Sequence, residues 1–562
     1  MHHVFLISEL IELIFQQIEC QETLFRLSRV CHVFKDPALD ALYGSIQSLP
    51  RLLTCLSSDL LDATPGGDGG ASFKNFCREL THDDWASLAS YARRVKNLDI
   101  KVSIHRRLHK DTFDALCKCP IPLFPRLRTL RLSGTIYLAS LHRIVLTPSL
   151  RVLHIPDVTA DDFISNAPTP YLYCPNIESF TCLDKGTGRD PAKLMRLAKT
   201  LCRWKYLHHL DCGPLNVEIL AHLAHASSLG TLVIPVMSSD TWLSERYRLR
   251  DVDELNLVID SIDTWARALR ALFQDNEGSE SHSDKSTYAS LRALTMTMTP
   301  IQGVLSVQAP AQRVPSPPSL ISSTLSSLVC RKHLSVLKLS DYWSSPLPKG
   351  RFGIEELTPL RGFAQLRELV IKFRSYPLTF DDMELAALVS YWPRLERLHL
   401  TKLEQPVSLT GLIAVLQACP SLCYLDLAVR LDPADVANVS ASSPLPRNAY
   451  ITWMDLEHTH ERAKDADPLA RLLHCMLPSL LSCDRSVSSR GRDACSPAEA
   501  RRWMLSWRRR TTEPREWRAR FWLLVFAEMH RLKELEEVKE SEKWVNPLAK
   551  SVAAALSLYR RE

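Results

Sequence analysis

The stretch LERLHL, residues 395–400, decides the fold, because its pattern Leu-x-x-Leu-x-Leu returns along most of the chain. Apolar and polar residues alternate in its second half, which is typical of a strand with one buried face. With Val, Ile, Met or Cys allowed at the apolar positions, ten clear copies start at residues 95, 127, 150, 207, 229, 291, 334, 366, 395 and 422. Weaker copies lie near Ile177, Val252 and Ile451. The repetition predicts a stack of similar units.

Helical patterns precede several of these strands. Residues 381–392 carry Leu385, Leu388 and Trp392 as apolar positions and run into the copy at 395, and residues 409–419 run into the copy at 422. One strand and one helix per unit, stacked so that neighbours bury each other's apolar faces, is the leucine-rich-repeat solenoid. We therefore predict an α/β fold in which residues 95–480 form an irregular solenoid of this kind, curved as a horseshoe.

The repeats are irregular. Their spacing runs from 22 to more than 40 residues, and the Asn that commonly follows the strand is missing. Two polar insertions, residues 275–286 and 310–326, account for part of this variation, and we expect both to be mobile loops because they carry few apolar residues.

A helical segment precedes the repeats. Residues 5–46 indicate three short helices, with Ser8 as the N-cap of the first and Asp36-Pro37 as a later start signal. We assign residues 1–48 to this unit and residues 49–94 to a helical connector that contains the Gly-rich loop at 65–70.

The first of these helices carries two apolar stripes. Leu10, Ile14 and Ile18 form one stripe, and Ile11 and Phe15 form the other. A helix in so small a unit can bury one stripe in its own core, so the second needs another surface.

Three stretches of this segment match a known pattern. They are Leu6-Ile7-Ser8-Glu9-Leu10 with Ile14-Phe15, then Leu24, Leu27, Val30, Cys31 and Phe34, and finally Pro37-Ala38-Leu39-Asp40-Ala41-Leu42-Tyr43. On these residues the segment resembles an F-box, in the form common in fungal, basidiomycete-type, leucine-rich-repeat proteins. The match covers under a tenth of the chain. Ile7 stands where the family has Pro, and Tyr43 where Trp is commoner.

The resemblance implies a partner and a function. An F-box binds the Skp adaptor of a cullin ubiquitin ligase, which makes the chain a substrate-recognition subunit of an SCF-type ligase with no catalytic role of its own. The adaptor-binding residues implied are Leu6, Ile7, Glu9, Leu10, Ile14, Phe15, Ile18, Leu24, Leu27 and Val30. Ile7 also leaves open a repeat scaffold that has lost adaptor binding.

The repeats offer a second surface. In each strand the residue between the last two apolar positions points away from the core, so these residues form a row along the concave face. The candidates for binding a target protein are Arg131, His154, Asp211, Asn256, Lys338, His399 and Asp426, in a row completed by Asp99, Val233, Thr295 and Val370. The row is mixed in charge and selects no ligand class.

The end of the chain has a different composition. Residues 481–496 form a polar linker, and residues 497–562 predict helices rich in Arg and Trp. We favour a cap that covers the last repeat. The alternative is a nucleic-acid site, because Arg and Trp together bind phosphates and stack on bases. Glu513 and Glu516, which interrupt the basic block, weigh against it.

Composition fits this assignment. The 562 residues carry a net charge of +6, too mild to indicate nucleic acid on its own. Sixteen scattered cysteines and no secretory pattern favour reduced thiols in the cytoplasm or nucleus, and no apolar run is long enough for a membrane span. We find no metal-ligand spacing and no nucleophile signature, and so expect no cofactor and no enzymatic activity.

Overall fold

The structure is a computed structural model. It describes residues 7–47, 49–57, 59–65, 71–101, 110–119, 122–133, 144–155, 170–182, 191–226, 228–249, 251–273, 291–299, 317–327, 333–342, 351–374, 376–431, 435–436, 439, 445–451, 453–455, 458–459, 466–480, 525, 528–537 and 539. The Gly-rich segment 66–70, the insertion 275–286, the linker 481–496 and the Arg/Trp-rich residues 501–524 lie outside the described residues.

The helices are short, and most of them alternate with the strands along the chain. They are α1 Ser8–Gln16, α2 Gln21–Leu27, α3 His32–Gly44, α4 Leu49–Leu53, α5 His82–Ala92, α6 Lys110–Cys117, α7 Pro170–Tyr173, α8 Pro191–Leu201, α9 Val217–His225, α10 Ile262–Phe273, α11 Pro317–Ser327, α12 Ile354–Leu357, α13 Asp382–Val389, α14 Leu409–Ala418 and α15 Ala466–Met476. Two 3₁₀ turns span Thr241–Ser244 and Thr358–Gly362, and residues 528–537 are helical.

The strands are equally short. They are β1 Ser45–Ile46, β2 Leu61–Pro65, β3 Ala71–Phe76, β4 Asn97–Lys101, β5 Thr129–Ser133, β6 Val152–Ile155, β7 Ser179–Cys182, β8 His209–Cys212, β9 Thr231–Val236, β10 Glu254–Ile259, β11 Ala293–Met298, β12 Val336–Asp341, β13 Phe352–Gly353, β14 Glu368–Lys372, β15 Leu378–Thr379, β16 Arg397–Leu400, β17 Tyr424–Leu427, β18 Arg430–Leu431, β19 Trp453–Asp455 and β20 His458–Thr459.

The chain divides into two compact units. Unit one comprises residues 1–258, 267–290 and 301–306, and unit two comprises residues 259–266, 291–300 and 307–562. In unit one the strand order is β1-β4-β5-β6-β7-β8-β9-β10, and in unit two it is β11-β12-β14-β16-β17-β19. Neighbouring strands in these runs are parallel wherever their register is defined.

Every predicted repeat copy forms a strand. The ten clear copies give β4, β5, β6, β8, β9, β11, β12, β14, β16 and β17, and the three weak ones give β7, β10 and β19. The prediction of a leucine-rich-repeat arrangement with parallel strands is therefore confirmed for the described part of the chain.

The central Leu of the motif builds the core. In unit one this position places buried residues opposite one another on successive strands: Leu130, Leu153, Phe180, Leu210 and Leu232. In unit two the same position gives Leu294, Leu337, Leu369, Leu398, Leu425 and Met454. Burying each such side chain contributes about 1.5–3 kcal/mol, so the stack stabilises every repeat through its neighbours.

Local signals fix the helix starts in unit two. Asp381 accepts a hydrogen bond from the Glu384 backbone N–H, and the Glu384 carboxylate accepts one from the Asp381 N–H, which together cap α13. Ser408 caps α14 in a similar way, accepting from the Gly411 N–H.

Four expectations from the sequence were wrong. Ser8 is the first residue of α1 rather than its cap, because Ile7 takes the extended cap conformation. Helix α3 begins at His32, with Pro37 inside it, so Asp36-Pro37 is not a helix start. Among its described residues the connector 49–94 is helical only in α4 and α5, and β2 and β3 form an antiparallel pair between these helices.

The fourth concerns the insertion 310–326. Its second half forms α11, Pro317–Ser327, instead of a mobile loop. Ile321 and Leu325 are buried one helical turn apart, and a Pro at the first helical position favours the start. Two apolar residues at the right spacing were enough to anchor a segment that is polar on average.

Candidate docking surfaces

The N-terminal head, defined as α1 to α3, has its own small core. Ile11, Phe15, Leu24, Ala38 and Leu42 are buried against one another. The rings of Phe15 and Phe34 meet edge to face with 5.4 Å between their centroids. Of the two stripes on α1, Ile11 and Phe15 therefore face inward.

Most of the other predicted stripe faces solvent: Leu10 and Ile14 are exposed, whereas Ile18 is half-buried against the head core. Ile7, Leu10, Leu13 and Ile14 are exposed to between 37% and 57%. Ile7, Leu10 and Leu13 are spaced three residues apart and Ile14 lies four residues after Leu10, so the four residues share one side of α1 and its N-cap. We call Ile7, Leu10, Leu13 and Ile14 the α1 stripe. Leu13 was not among the predicted adaptor contacts.

Nine of the ten predicted adaptor-binding residues are described, and they divide into three groups by exposure. Ile7, Glu9, Leu10, Ile14 and Val30 are exposed; Ile18 and Leu27 are half-buried against the head core; Phe15 and Leu24 are buried within it; and Leu6 lies outside the described residues. Phe15 and Leu24 thus hold the head together rather than presenting themselves for docking. Their spacing alone could not distinguish these roles, because both stripes have the same helical period.

A second exposed apolar group lies on the rest of the head. Phe25 on α2, Val30 in the following turn and Val33 on α3 are each at least 46% exposed. The Arg29 guanidinium lies 5.8 Å from the centroid of the Phe25 ring. Single exposed apolar residues are common on protein surfaces, but several of them on one small helical unit are typical of an interaction site.

The head is fixed to the repeats of unit one. Strand β1 follows α3 directly and pairs with β4, so the head continues into the repeat sheet. Arg94, at the end of α5, forms ion pairs with Asp36, at 2.6 Å, and with Asp40 of α3. The hydrogen bond from the Arg94 guanidinium lowers the pKa of Asp36. Strand pairing and these ion pairs therefore join the head to the first repeats within unit one.

The predicted row is in register in unit one. Asp99, Arg131, His154, Thr181, Asp211 and Val233 lie opposite one another on successive strands. Burial, followed by the positive charge of Arg131, lowers the pKa of His154, and burial raises the pKa of Asp211. Thr181 was missing from the predicted row because its copy of the motif is weak.

Unit two has a row of its own, formed by Thr295, Lys338, Val370, His399 and Asp426, which lie opposite one another on successive strands. His399 and Asp426 are only 2% and 5% exposed, and the distance from His399 Nδ1 to Asp426 Oδ2 is 2.7 Å. These two predicted target contacts are thus buried partners of each other, which leaves Lys338 as the accessible candidate among the three in unit two. Asn256, the remaining candidate, is half-buried on β10.

A neighbouring line of residues on the same face was missed. Glu368, Arg397 and Tyr424 lie opposite one another, two residues before Val370, His399 and Asp426. Glu368 Oε1 accepts from Lys338 Nζ at 3.1 Å and lies 3.6 Å from Arg397 Nε. The Arg397 guanidinium lies 4.9 Å from the Tyr424 ring centroid. The sequence could have predicted this line, because each of these residues directly precedes the central Leu of its motif and therefore lies on the same side of the strand as the row.

The C-terminal region is described only in part. Val525, Glu528 and Met529 are buried. His474 Nε2 on α15 lies 3.3 Å from Glu536 Oε1 on the helix 528–537. This part of the C-terminal region thus packs against unit two, while most of the Arg/Trp-rich segment lies outside the described residues.

Metal binding and membrane insertion are two other classes of function. Within the described ranges, no group of three or more His, Cys, Asp and Glu side chains is placed to hold a metal ion. No helix in that part of the chain is long and apolar enough to cross a bilayer.

The sequence matches no protein-family model and no curated protein. Among solved structures, the chain is similar to a chain of the mouse RP105/MD-1 complex, with 14% identity and a TM-score of 0.25. The match covers 66% of this chain and 63% of that chain, so less than two thirds of that chain is spanned. So distant a likeness carries no argument, and the repeat assignment rests on the strands and registers described above.

Proposed function

We propose that the chain is the substrate-recognition subunit of an SCF-type cullin ubiquitin ligase. The N-terminal head would dock a Skp-type adaptor, which in turn binds the cullin, and the repeats would hold a target protein. The chain would act in the cytoplasm or nucleus and perform no bond chemistry itself.

The α1 stripe carries the proposal. The head fills its core with Ile11 and Phe15 of α1 and still leaves three large apolar residues of that helix, and Ile7 at its N-cap, exposed to water. Exposing them costs free energy that a partner with an apolar groove would recover. The resemblance of this segment to an F-box names a Skp adaptor as the partner.

The rigid attachment of the head supports the mechanism. Because the β1–β4 pairing and the Arg94 ion pairs hold the head on the first repeats, an adaptor on one surface and a target on the other would be kept at a fixed separation. Two binding events on one body raise the effective concentration of the target near the ubiquitin-charged enzyme.

Co-purification tests the proposal. A double variant, Leu10→Ala with Ile14→Ala, removes much of the stripe without touching the head core, and we expect it to lose both adaptor and cullin from pull-downs of the tagged full chain. Leu172→Ala, in α7, is a matched control because Leu172 is also a highly exposed apolar residue, and it should retain both. Equal recovery of adaptor by the double variant and the wild type would remove the ligase assignment and leave a repeat scaffold.

A further inference from the structure

The residues that immediately precede the strands of unit one form a continuous ladder. The Arg128 N–H donates to the Lys96 carbonyl at 2.7 Å, Arg151 to Arg128 at 2.8 Å, Glu178 to Arg151 at 2.8 Å, and His208 to Glu178 at 2.7 Å. The side chains of these residues therefore follow one another along the edge of the sheet where the strands begin.

This edge is strongly basic. Lys96, Arg128 and Arg151 belong to the ladder itself, and Arg126 and Lys205 lie in the exposed turns beside it. We call these five residues the basic edge. Within the described part of the chain, Arg151 is the member paired with a carboxylate, Glu178, at 3.6 Å, and that pair is largely exposed. An exposed pair at this distance is worth little, so a ligand can compete for Arg151.

The edge is also rigid. Each turn is tied to the preceding one by a side-chain donor: Ser149 Oγ to the Pro125 carbonyl at 2.8 Å, Asn176 Nδ2 to Pro148 at 3.2 Å, and Trp204 Nε1 to Cys174 at 2.9 Å. Because the backbone of the turns is fixed before any ligand arrives, less entropy is lost on binding.

The corresponding edge in unit two is different. There Arg367 Nη1 lies 3.2 Å from the Glu396 carboxylate, and Arg394 donates to the Gln365 side chain at 2.8 Å. The residues that precede the strands of unit two are Arg292, Ser335, Arg367, Glu396 and Cys423, so basic residues do not stand on successive strands there as Lys96, Arg128 and Arg151 do in unit one.

We propose that the basic edge binds an extended, anionic segment of a partner protein. This deepens the proposed function, on which it rests, by giving the chemical class of the target. The edge crosses five strands, β4 to β8, so its four steps of about 4.8 Å span roughly 19 Å. A fully extended peptide covers that distance in about six residues. Guanidinium groups bind carboxylates and phosphates through paired hydrogen bonds, so the anionic groups could be acidic side chains or phosphoserines.

A peptide fits this edge better than a nucleic acid does. Glu178 lies in the middle of the ladder, and Asp99 and Asp211 lie on the adjacent row. A nucleic-acid backbone has a charge at every step and would place phosphates against these carboxylates, whereas a peptide can present its charges at intervals.

Fluorescence anisotropy with the purified full chain, in the absence of adaptor, tests the proposal. The probes are an eight-residue peptide with four Glu residues, its phosphoserine counterpart, its Gln counterpart, and a single-stranded RNA of equal charge. We expect the Glu or the phosphoserine peptide to bind in a salt-sensitive way, the stronger of the two identifying the source of the charge, and the Gln peptide to bind about tenfold more weakly or worse.

Variants locate the binding. Arg126→Ala with Arg128→Ala should weaken peptide binding about tenfold, since two charged contacts are lost. Arg367→Ala with Arg394→Ala, which removes two exposed arginines from the corresponding edge of unit two, should leave it unaltered. Equal affinity for the Gln peptide, tighter binding of RNA than of either anionic peptide, or no effect of the double variant at Arg126 and Arg128 would overturn the proposal. That double variant should still co-purify with adaptor, so a failure at this edge is distinguishable from a failure of the head.

Discussion

At the scale of single residues, two buried tryptophans differ in how their indole N–H groups are satisfied, and so in what they contribute to the free energy of unfolding. Trp204 and Trp265 are both buried, but only the Trp204 indole N–H donates to a described carbonyl, that of Cys174 at 2.9 Å. The Trp265 indole nitrogen is buried with no hydrogen-bond partner in the described part of the chain.

This contrast gives the first prediction. Trp204→Phe removes the hydrogen bond to the Cys174 carbonyl, so it should lower the free energy of unfolding by about 0.5–1.5 kcal/mol more than Trp265→Phe does. Urea denaturation of the two variants, followed by circular dichroism, measures the difference. Equal losses would show that the Cys174 contact contributes nothing beyond packing.

A second prediction concerns pH. Burial and Arg131 lower the pKa of His154, so the folded protein favours the neutral imidazole. Above the unfolded-state pKa of about 6.5, His154 is neutral in both states and does not lower the stability of the fold. As the pH falls through that value, the unfolded chain takes up a proton before the folded protein does, so the free energy of unfolding decreases. His154→Gln should therefore lose less stability than the wild type between pH 7.5 and pH 5.5. Parallel pH profiles in thermal denaturation would contradict this.

At the scale of elements, the third prediction concerns Gly411 in α14, where the surrounding atoms are closely packed. An added Cβ at Gly411 in α14 would lie 2.5 Å from an Asp382 carboxylate oxygen and 2.7 Å from Val407 Cγ1. That carboxylate accepts hydrogen bonds from the Ser408 backbone N–H and from the Ser408 hydroxyl, and so it has little room to move.

Gly411→Ala should therefore destabilise the protein by about 1–3 kcal/mol, although Ala is otherwise favoured in a helix by about 1 kcal/mol. Gly44→Ala is the control, because nothing lies within 4 Å of a Cβ at Gly44. Thermal denaturation compares the two. A loss at Gly44 as large as at Gly411 would mean that the clash is not the cause.

Strands were easier to predict than helices. The central Leu and the alternation around it mark thirteen strands, because a one-residue shift would turn every core side chain outward. Helix limits were harder to predict: α3 begins at His32 and contains Pro37, which the sequence suggests as a helix start, and α11 forms in a polar insertion whose Ile321 and Leu325 are buried. Tertiary packing decided these cases, and a single sequence does not contain it directly.

At the scale of the whole molecule, the sequence predicts surfaces better than it predicts which residues on them are accessible. The surplus apolar surface of the head was foreseen, but the burial of Phe15 and Leu24 depends on how three helices meet. The row was foreseen from the motif, but the mutual burial of His399 and Asp426 was not. The basic edge went unnoticed although Lys96, Arg128 and Arg151 occupy the same position of successive motifs.

Both proposed surfaces of unit one would act together. An adaptor on the α1 stripe and an anionic segment on the basic edge would be joined by the Arg94 ion pairs and the β1–β4 pairing rather than by a flexible linker. Because adaptor and target would both be held on unit one, ubiquitin would be transferred to a limited set of sites on the target.

Hydrogen–deuterium exchange of the full chain, with and without a purified Skp-type adaptor, tests the central claim most directly. Saturating adaptor should slow amide exchange in peptides covering residues 7–33, where the α1 stripe and its neighbours lie, and leave exchange in peptides covering 207–236 unchanged. Protection confined to the repeat strands, or no protection at all at adaptor concentrations far above those in the cell, would contradict the account.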